Sequence, residues 1–411
     1  MSRVLQLIAL VMAGEAIFAL PFVLPRVFRP VLLDALAIDN TQLGYAFSLY
    51  GIVALLSYGF GGPLADRFAV RRMMAVALWA TALGGLWLAT LPSYTALVTL
   101  YGLWGASTIL LFWAGLQRAT REWGGADTQG RAFGLLDGGR GLFAAVVSTL
   151  ATVLFAWIPV AAGSEFLPLQ AVIVVYSLLT ALAGVLVWAV LPDPKERVPG
   201  IQWGHIVGTL RNPAVWLQAV IVVCAYVTYK GTDDLSLLAK DVLGYSDVEA
   251  AIVGTLAFWI RPVAAVAAGL VADRFGGWKT IAFCFGLLIA ANLAIVNATT
   301  GITLLFPGII ASCIGVYGLR GVYFALFGEA GVPVAATGTA VGLVSLVGYT
   351  PDIFFGPTMG SILDANPGPT GHAHLFTMLA AVAAAGMVAA LGFGAVSVGR
   401  QRRSPARSNA A

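Results

Sequence analysis

Twelve apolar runs divide the chain, at about 4–26, 41–65, 72–91, 95–117, 131–158, 167–190, 213–236, 248–272, 280–297, 302–325, 336–361 and 372–396. About 20 helical residues cross a hydrocarbon layer of about 30 Å, so each run predicts one transmembrane helix. The expected fold is an all-α membrane protein of twelve transmembrane helices, numbered here 1 to 12. The first run is longer than a signal-peptide core, lacks a small-residue cleavage site and carries Glu15, so it reads as a retained helix.

The longest polar break, 191–212, holds three prolines and mixed charge. It predicts a linker between a half at 1–190 and a half at 213–398. A basic tail, 399–411, follows and suits contact with anionic lipid. One charged hairpin occurs twice. Residues 62–72 read GPLADRFAVRR and residues 269–279 read GLVADRFGGWK, so Gly62, Ala65, Asp66, Arg67 and Phe68 correspond to Gly269, Ala272, Asp273, Arg274 and Phe275. Gly130 and Gly134 repeat as Gly338 and Gly342 at nearly the same offset. The repeat predicts two similar six-helix halves in parallel order.

Composition agrees with lipid as the main solvent. Hydrophobic residues make up 59% and charged residues 10%, against about 25% charged in an ordinary soluble domain, and mean hydropathy is +0.89. The net charge of +4 is spread over short loops, which excludes a nucleic-acid patch. Cys224, Cys284 and Cys313 lie inside apolar runs and read as packing residues. With the N-terminus inside, sixteen Lys and Arg residues fall on the cytoplasmic side and only Arg26, Arg29 and Lys240 on the other. Both termini are therefore expected in the cytoplasm.

The duplicated hairpin resembles the cytoplasmic loop signature of the major facilitator superfamily, placed between helices 2 and 3 and echoed between helices 8 and 9. Segments 259–262 and 348–354 resemble its nitrate/nitrite and organic-anion branch. The resemblance implies a secondary carrier with a midplane site, no cofactor, no metal and no catalytic residue. It also implies a latch role for Asp66 against helix 11, and for Asp273 in the other half, with Arg67 and Arg274 as gating partners. Arg67, Arg71 and Arg72 have an equal reading as topology markers. The first copy lacks the glycine that the second keeps at Gly276, so its turn is expected to differ. The superfamily's helix 4 arginine and the helix 5 proline of drug antiporters are absent, which weighs against a drug antiporter and leaves proton coupling open.

Ionisable residues inside spans are costly, by about 2.5 kcal/mol or more, and are functional candidates by default. Here they are Glu15, Asp137, Arg140, Lys230, Asp233, Asp234, Arg261, Arg320 and Asp352. None lies on helices 3, 6, 9 or 12, which the resemblance makes the lipid-side supports. Asp233 and Asp234 are close enough to a helix end to read as solvated. Asp137 and Arg140 are three apart and suited to pair, with Arg140 also a gating candidate. Glu15, Asp137 and Asp352 are candidate proton carriers; Glu15 reads equally as the permanent partner of a cation. Glu329 and Arg118 sit at helix ends, where an inner gate is expected.

Arg261 resembles the substrate arginine of nitrate/nitrite exchangers, and a guanidinium suits an oxyanion. The second arginine of those exchangers, on helix 2, is missing here. Lys230 and Arg320 add positive charge for a larger anion. Trp113, Tyr229 and Tyr349 are the aromatic candidates for shaping a pocket, among Tyr45, Tyr50, Trp104, Phe112, Tyr226 and Tyr323. Glycines and prolines at 348–351 and 355–357 predict a bend in helix 11.

The expected function is alternating-access transport of a small organic anion, with protons as a candidate co-substrate. The alternatives are a sugar, a zwitterion, an inorganic anion, or uniport. No convergent catalytic set appears among His205, His372 and His374, and the duplicated gate loop favours a carrier over a channel. The protein is expected as a monomer in a bacterial inner membrane. Cysteine labelling should find residues 195–211 and the tail after Arg400 on the cytoplasmic side; labelling of either by an impermeant reagent from outside contradicts this topology.

Overall fold

A computed structural model describes residues 2–124, 129–160, 164–192, 208–298, 304–332 and 337–403, with side chains for all but 59, 61–63, 65–67, 129–131, 298, 337–339 and 399–403. The chain folds into twelve helical spans arranged as two six-helix halves. They are α1 Arg3–Val27, α2 Asn40–Arg67, α3 Val70–Leu88, α4 Tyr94–Gly124, α5 Gln129–Trp157, α6 Leu167–Val190, α7 Pro213–Leu243, α8 Asp247–Phe275, α9 Gly277–Ala298, α10 Leu305–Val322, α11 Thr337–Gly348 with Pro351–Ala365, and α12 Pro369–Arg403. Among the described residues, nine of these meet membrane-crossing length and hydropathy by themselves. Apolar side chains remain exposed on the lipid-suited helices, such as Leu83 on α3, Leu182 on α6, Phe283 on α9 and Val388 on α12. Exposed apolar surface of this extent fits hydrocarbon rather than water.

Several spans are irregular, and prolines account for two of the irregularities. In α1 the turn Ala19–Val23 is a π-helix around Pro21. Proline has no N–H to donate and its ring crowds the preceding turn, so one extra residue enters the helix. The carbonyl of Pro21 accepts from the Tyr101 hydroxyl at 3.2 Å. The π-segment Ala106–Trp113 in α4 is compensated in the same way. Thr108 Oγ1 donates to Trp104 O at 2.7 Å, and the Tyr50 hydroxyl pairs with Thr108 Oγ1 at 2.7 Å. The helix of α7 tightens to a 3-10 turn over Gly231–Asp234. Span α11 breaks at Tyr349 and Thr350, because Pro351 has no N–H to continue the ladder, and Thr350 Oγ1 donates to Val347 O at 2.7 Å. The expected bend is therefore an interruption at 349–350, whereas Pro357 stays inside a continuous helix.

The two copies of the hairpin turn differently, as the missing glycine predicts. Gly276 takes φ 98 between α8 and α9, a left-handed value that costs glycine little. Between α2 and α3 the chain turns through two extended residues, Phe68 and Ala69.

The chain divides into two compact units. Unit 1 comprises Met1–Pro199, Thr232–Trp259 and Asp352–Gly371; unit 2 comprises Gly200–Gly231, Ile260–Pro351 and His372–Ala411. The sequence of the second half thus contributes one end of α7, α8 and α11 to unit 1. Polar contacts hold those ends against α1, α2 and α5. Arg26 meets Asp233 at 2.5 Å, and Ser236 Oγ donates to Arg26 O at 2.9 Å. Thr152 pairs with Thr255 at 3.0 Å, and Trp259 Nε1 donates to Thr149 Oγ1 at 3.0 Å. Ser48 Oγ donates to Ile353 O at 2.5 Å. Alongside, α2 and the second segment of α11 touch backbone to backbone. A Cβ on Gly51 would stand 2.6 Å from the carbonyl carbon of Asp352, and one on Gly360 would stand 2.5 Å from that of Asn40. Small residues permit this approach, as in other membrane helix pairs.

Unit 2 is built on close packing of α9 with α10 through Gly308 and Gly315, and of α7 with α11 through Gly348. Cys224, Cys284 and Cys313 are buried and unbridged, in line with a packing role.

Gly51→Leu should separate α2 from α11, since the added side chain meets backbone that cannot move aside. The expected result is a melting temperature several degrees lower in detergent by tryptophan fluorescence. Gly134→Leu, with nothing within 4 Å of its Cβ direction, is the neutral control.

Candidate functional site

In unit 1 the sequence candidates gather around Arg140 of α5. Its Nε lies 3.1 Å from Glu15 Oε2 of α1, and its Nη1 lies 3.8 Å from Asp137. The first contact is between charges and lacks hydrogen-bond alignment at those two atoms. Glu15 is 5% exposed, while the Asp137 side chain is 57% exposed. The buried carboxylate is therefore the main counter-charge. Aromatic rings complete the setting: the guanidinium carbon lies 5.7 Å from the Phe18 ring and 5.8 Å from the Trp113 ring. Phe18 directly precedes one π-turn and Trp113 ends the other, so the two distortions help present both rings to one cation. Gly14 makes room, for a Cβ there would stand 3.1 Å from Arg140 Cδ.

In unit 2 the candidates gather around Arg320 of α10. Its guanidinium carbon sits 4.1 Å from the Tyr229 ring centroid. Tyr229 stands 5.6 Å from Tyr226 and 6.3 Å from Tyr317, and Tyr226 stands 4.9 Å from Tyr349, ring to ring. Tyr229 thus joins the guanidinium to a cluster of four tyrosines drawn from α7, α10 and the break in α11. Arg320 Nη1 is buried and has no hydrogen-bond partner in the described residues. Lys230 and Arg261 are buried as well, at 2% and 8% exposure. The sequence of unit 2 contains two acidic side chains, Asp273 and Glu329. Asp273 is exposed at the end of α8. Glu329 accepts from the backbone of Gly277 at 2.6 Å and of Trp278 at 3.3 Å, capping α9.

The remaining expectations fall as follows. Arg274 is exposed, its guanidinium over the adjacent Phe275 ring at 5.5 Å. The side chains of Asp66 and Arg67 lie outside the described ones, as do residues 193–207 of the linker and the tail beyond Arg403. Asp352 opens the second segment of α11 in unit 1. Arg118 pairs with Glu122 at 2.9 Å within α4. One expectation is corrected: Asp233 and Asp234 are not a solvated helix end, being 4% and 0% exposed. Nor are Arg26 and Arg29 surface loop residues, at 2% and 0%. Burial of Arg26 is tolerated because Asp233 supplies the opposite charge at contact distance.

Tyr226, not among the three aromatics expected to shape a pocket, and Tyr317, not expected at all, belong to the cluster near Arg320, and the sequence carries a signal for both. Tyr226 and Tyr229 are three apart, as are Tyr317 and Arg320, which puts each pair on one helix face.

A helical membrane protein with buried cations in its spans and duplicated halves has the make-up of a solute carrier. The family model described as Major Facilitator Superfamily matches residues 7–357, and the chain belongs to that superfamily. It is a membrane transporter and not an enzyme. It is 27% identical over 398 residues to "Inner membrane protein YihN" of Escherichia coli (strain K12), covering 92% of each chain. It is also 27% identical over 275 residues to "Probable nitrate/nitrite antiporter NarK1" of Thermus thermophilus, covering 62% of this chain and 58% of the other. Among solved structures, the inward-facing, unoccupied bacterial homologue of the human lysosomal transporter Spinster superposes with a TM-score of 0.75 at 16% identity. The alignment covers 98% of this chain and 99% of that one. A mutant of the nucleoside transporter NupG gives 0.72 at 14% identity, over 96% and 99%. At these identities the two structures speak for the fold.

Glu15→Gln should leave Arg140 without its buried counter-charge and destabilise the protein by about 3–5 kcal/mol, the usual cost of breaking a buried pair from one side. Asp137→Asn should cost far less, because that group is solvated. Thermal unfolding in detergent distinguishes the two, and a Glu15→Gln/Arg140→Gln double variant should recover part of the loss.

Proposed function

We propose that this transporter carries a small organic anion by alternating access, and that Arg320 with its tyrosines is the anchor for the anionic group. The observation that carries the reading is Arg320 itself. One face of its guanidinium covers Tyr229 while Nη1 is buried with no hydrogen-bond partner in the described residues. A buried guanidinium donor left unbonded is costly, and an oxyanion would satisfy it with charge-assisted hydrogen bonds. Neither carboxylate of unit 2 serves it, as one is exposed and the other caps α9. Lys230 and Arg261 add positive potential and remain candidate contacts, with Tyr229 and Tyr349 as walls. Arg320 takes the first place expected of Arg261 because its guanidinium lies against an aromatic face and has a buried donor with no hydrogen-bond partner in the described residues; Arg140 shares both features but has Glu15 as a counter-charge at 3.1 Å.

In this reading the halves 1–190 and 213–398 rock about the site, with both termini cytoplasmic and Asp66, Arg67, Asp273 and Arg274 at the inner gate. Glu15 beside Arg140 is the candidate proton carrier, with Asp137 and Asp352 as further candidates, and Trp113 faces Arg140 as a further contact. The relative named as a probable nitrate/nitrite antiporter favours a second reading, an inorganic oxyanion held by Arg261.

The test is a thermal-shift panel on purified protein against carboxylates, sulfonates, phosphate monoesters, nitrate and neutral sugars, followed by counterflow in proteoliposomes. Organic anions should raise the melting temperature. Arg320→Lys keeps the charge but loses the planar fork, and should weaken apparent affinity by about tenfold or more while the protein stays monodisperse. Stabilisation by neutral sugars alone would remove the anion reading, and undiminished affinity in Arg320→Lys would remove Arg320 from the site.

A further inference from the structure

The end of unit 1 that carries Arg26 and Asp233 holds a second polar network, which the transport site does not use. It centres on Asp364, in the last turn of α11. Its carboxylate accepts four hydrogen bonds from the first two residues of α2. Asn40 donates its backbone N–H at 3.2 Å and Nδ2 at 3.0 Å to Oδ1. Thr41 donates its backbone N–H at 2.7 Å and Oγ1 at 2.6 Å to Oδ2. The N-terminus of a helix has four amides with no partner inside the helix. Here α2 fills two of them by its own means, in a capping box: the Gln42 amide donates to Asp39 Oδ1 at 2.7 Å, and the Asp39 amide donates to Gln42 Oε1 at 3.0 Å. The other two, Asn40 and Thr41, are filled by a carboxylate that lies more than 300 residues away in sequence. The negative charge also sits at the positive end of a 28-residue helix.

Arg29 extends the network. It is fully buried, and its Nε donates to Asn40 Oδ1 at 2.9 Å. The Asn40 side chain therefore links a buried guanidinium to Asp364. A cavity of about 320 Å3 reaches this point, lined by Asp39, Asn40, Asp241, Leu363 and Asp364 among others. A cavity of that size with polar walls admits water. Every bond from Asp364 to α2 can then be replaced by one to water, so the contact holds without being permanent.

We propose that Asp364 is a reversible latch that holds this end of the transporter shut by capping α2. The cap acts at one end of the glycine seam, where Gly360 lies against Asn40 and Gly51 against Asp352. The seam packs mainly backbone against backbone, so its closed state draws on polar bonds, from Ser48 to Ile353 in its middle and from Asp364 at its end. From the alternating-access reading the proposal takes only that this end opens during the cycle.

Met359 lies on the same segment, 1% exposed, and serves as reporter. Met359→Cys is placed in a background with Cys224, Cys284 and Cys313 replaced, and maleimide labelling is timed in detergent, where both ends of the protein meet the reagent. Asp364→Asn should speed labelling by about tenfold, the effect of losing one charge-assisted hydrogen bond. Thr41→Val, which loses one donor, should speed it by about threefold, and the double variant should be no faster than Asp364→Asn alone. Unchanged labelling in monodisperse Asp364→Asn protein overturns the latch, even if the melting temperature falls. If Asp364→Asn does not fold, unchanged labelling in Thr41→Val overturns it. Retained stabilisation by the anion panel in that case leaves the carrier reading standing.

Discussion

A charge placed among apolar helices must be compensated, and most of this structure follows from how each one is met. Arg26 is met by Asp233 in a buried contact, and Arg140 by Glu15. Glu329 is met by the first amides of α9, and Asp364 by the first residues of α2. Each of these joins helices distant in sequence, so compensating a charge also fixes which helices touch. Arg320 is the exception in kind. Its near neighbour is the face of Tyr229, a weaker counterpart than a carboxylate, worth about 0.5–2 kcal/mol. This incomplete compensation at Arg320 is what the proposed anion site rests on.

The same rule governs the backbone. A span in lipid has no water for a lost ladder bond, so irregular turns survive only where side chains or other carbonyl partners replace it. The hydroxyls of Tyr101, Thr108 and Thr350 do this at three of the four irregular spans, α1, α4 and α11. These distortions are not incidental to chemistry. The π-turns of α1 and α4 adjoin Phe18 and Trp113, two rings that meet edge to face beside Arg140. The break in α11 follows directly on Tyr349, one of the tyrosines near Arg320. Departures from the regular helix turn side chains toward the interior that an unbroken helix would carry elsewhere.

Glycine has a separate part. At Gly44, Gly51, Gly356 and Gly360 the absence of a side chain lets α2 and α11 meet at backbone distance. Such a seam has little to interlock, which suits surfaces that separate and rejoin. Its specificity comes from the polar groups along it, Ser48 in the middle and Asp364 at the end.

The number of spans and their approximate positions were legible in the sequence, because the cost of placing polar backbone and charge in lipid imposes long apolar runs. The absence of Asp, Glu, Lys and Arg from the middles of α3, α6, α9 and α12 was legible for the same reason. So was the altered turn after Phe68, since only glycine takes the value found at Gly276 at little cost. Arg320, Tyr229 and Tyr349 were named as candidates from span and position alone. The sequence did not reveal that Asp233 and Asp234 are buried, that Arg140 takes Glu15 as its main partner, or that Asp364 caps α2. Those pairings join residues more than a hundred positions apart, and one carboxylate near a helix end looks like another until the fold brings a donor to it. Hydropathy is a local property and can be read along the chain. Compensation of charge is a contact property, and only the tertiary structure decides it.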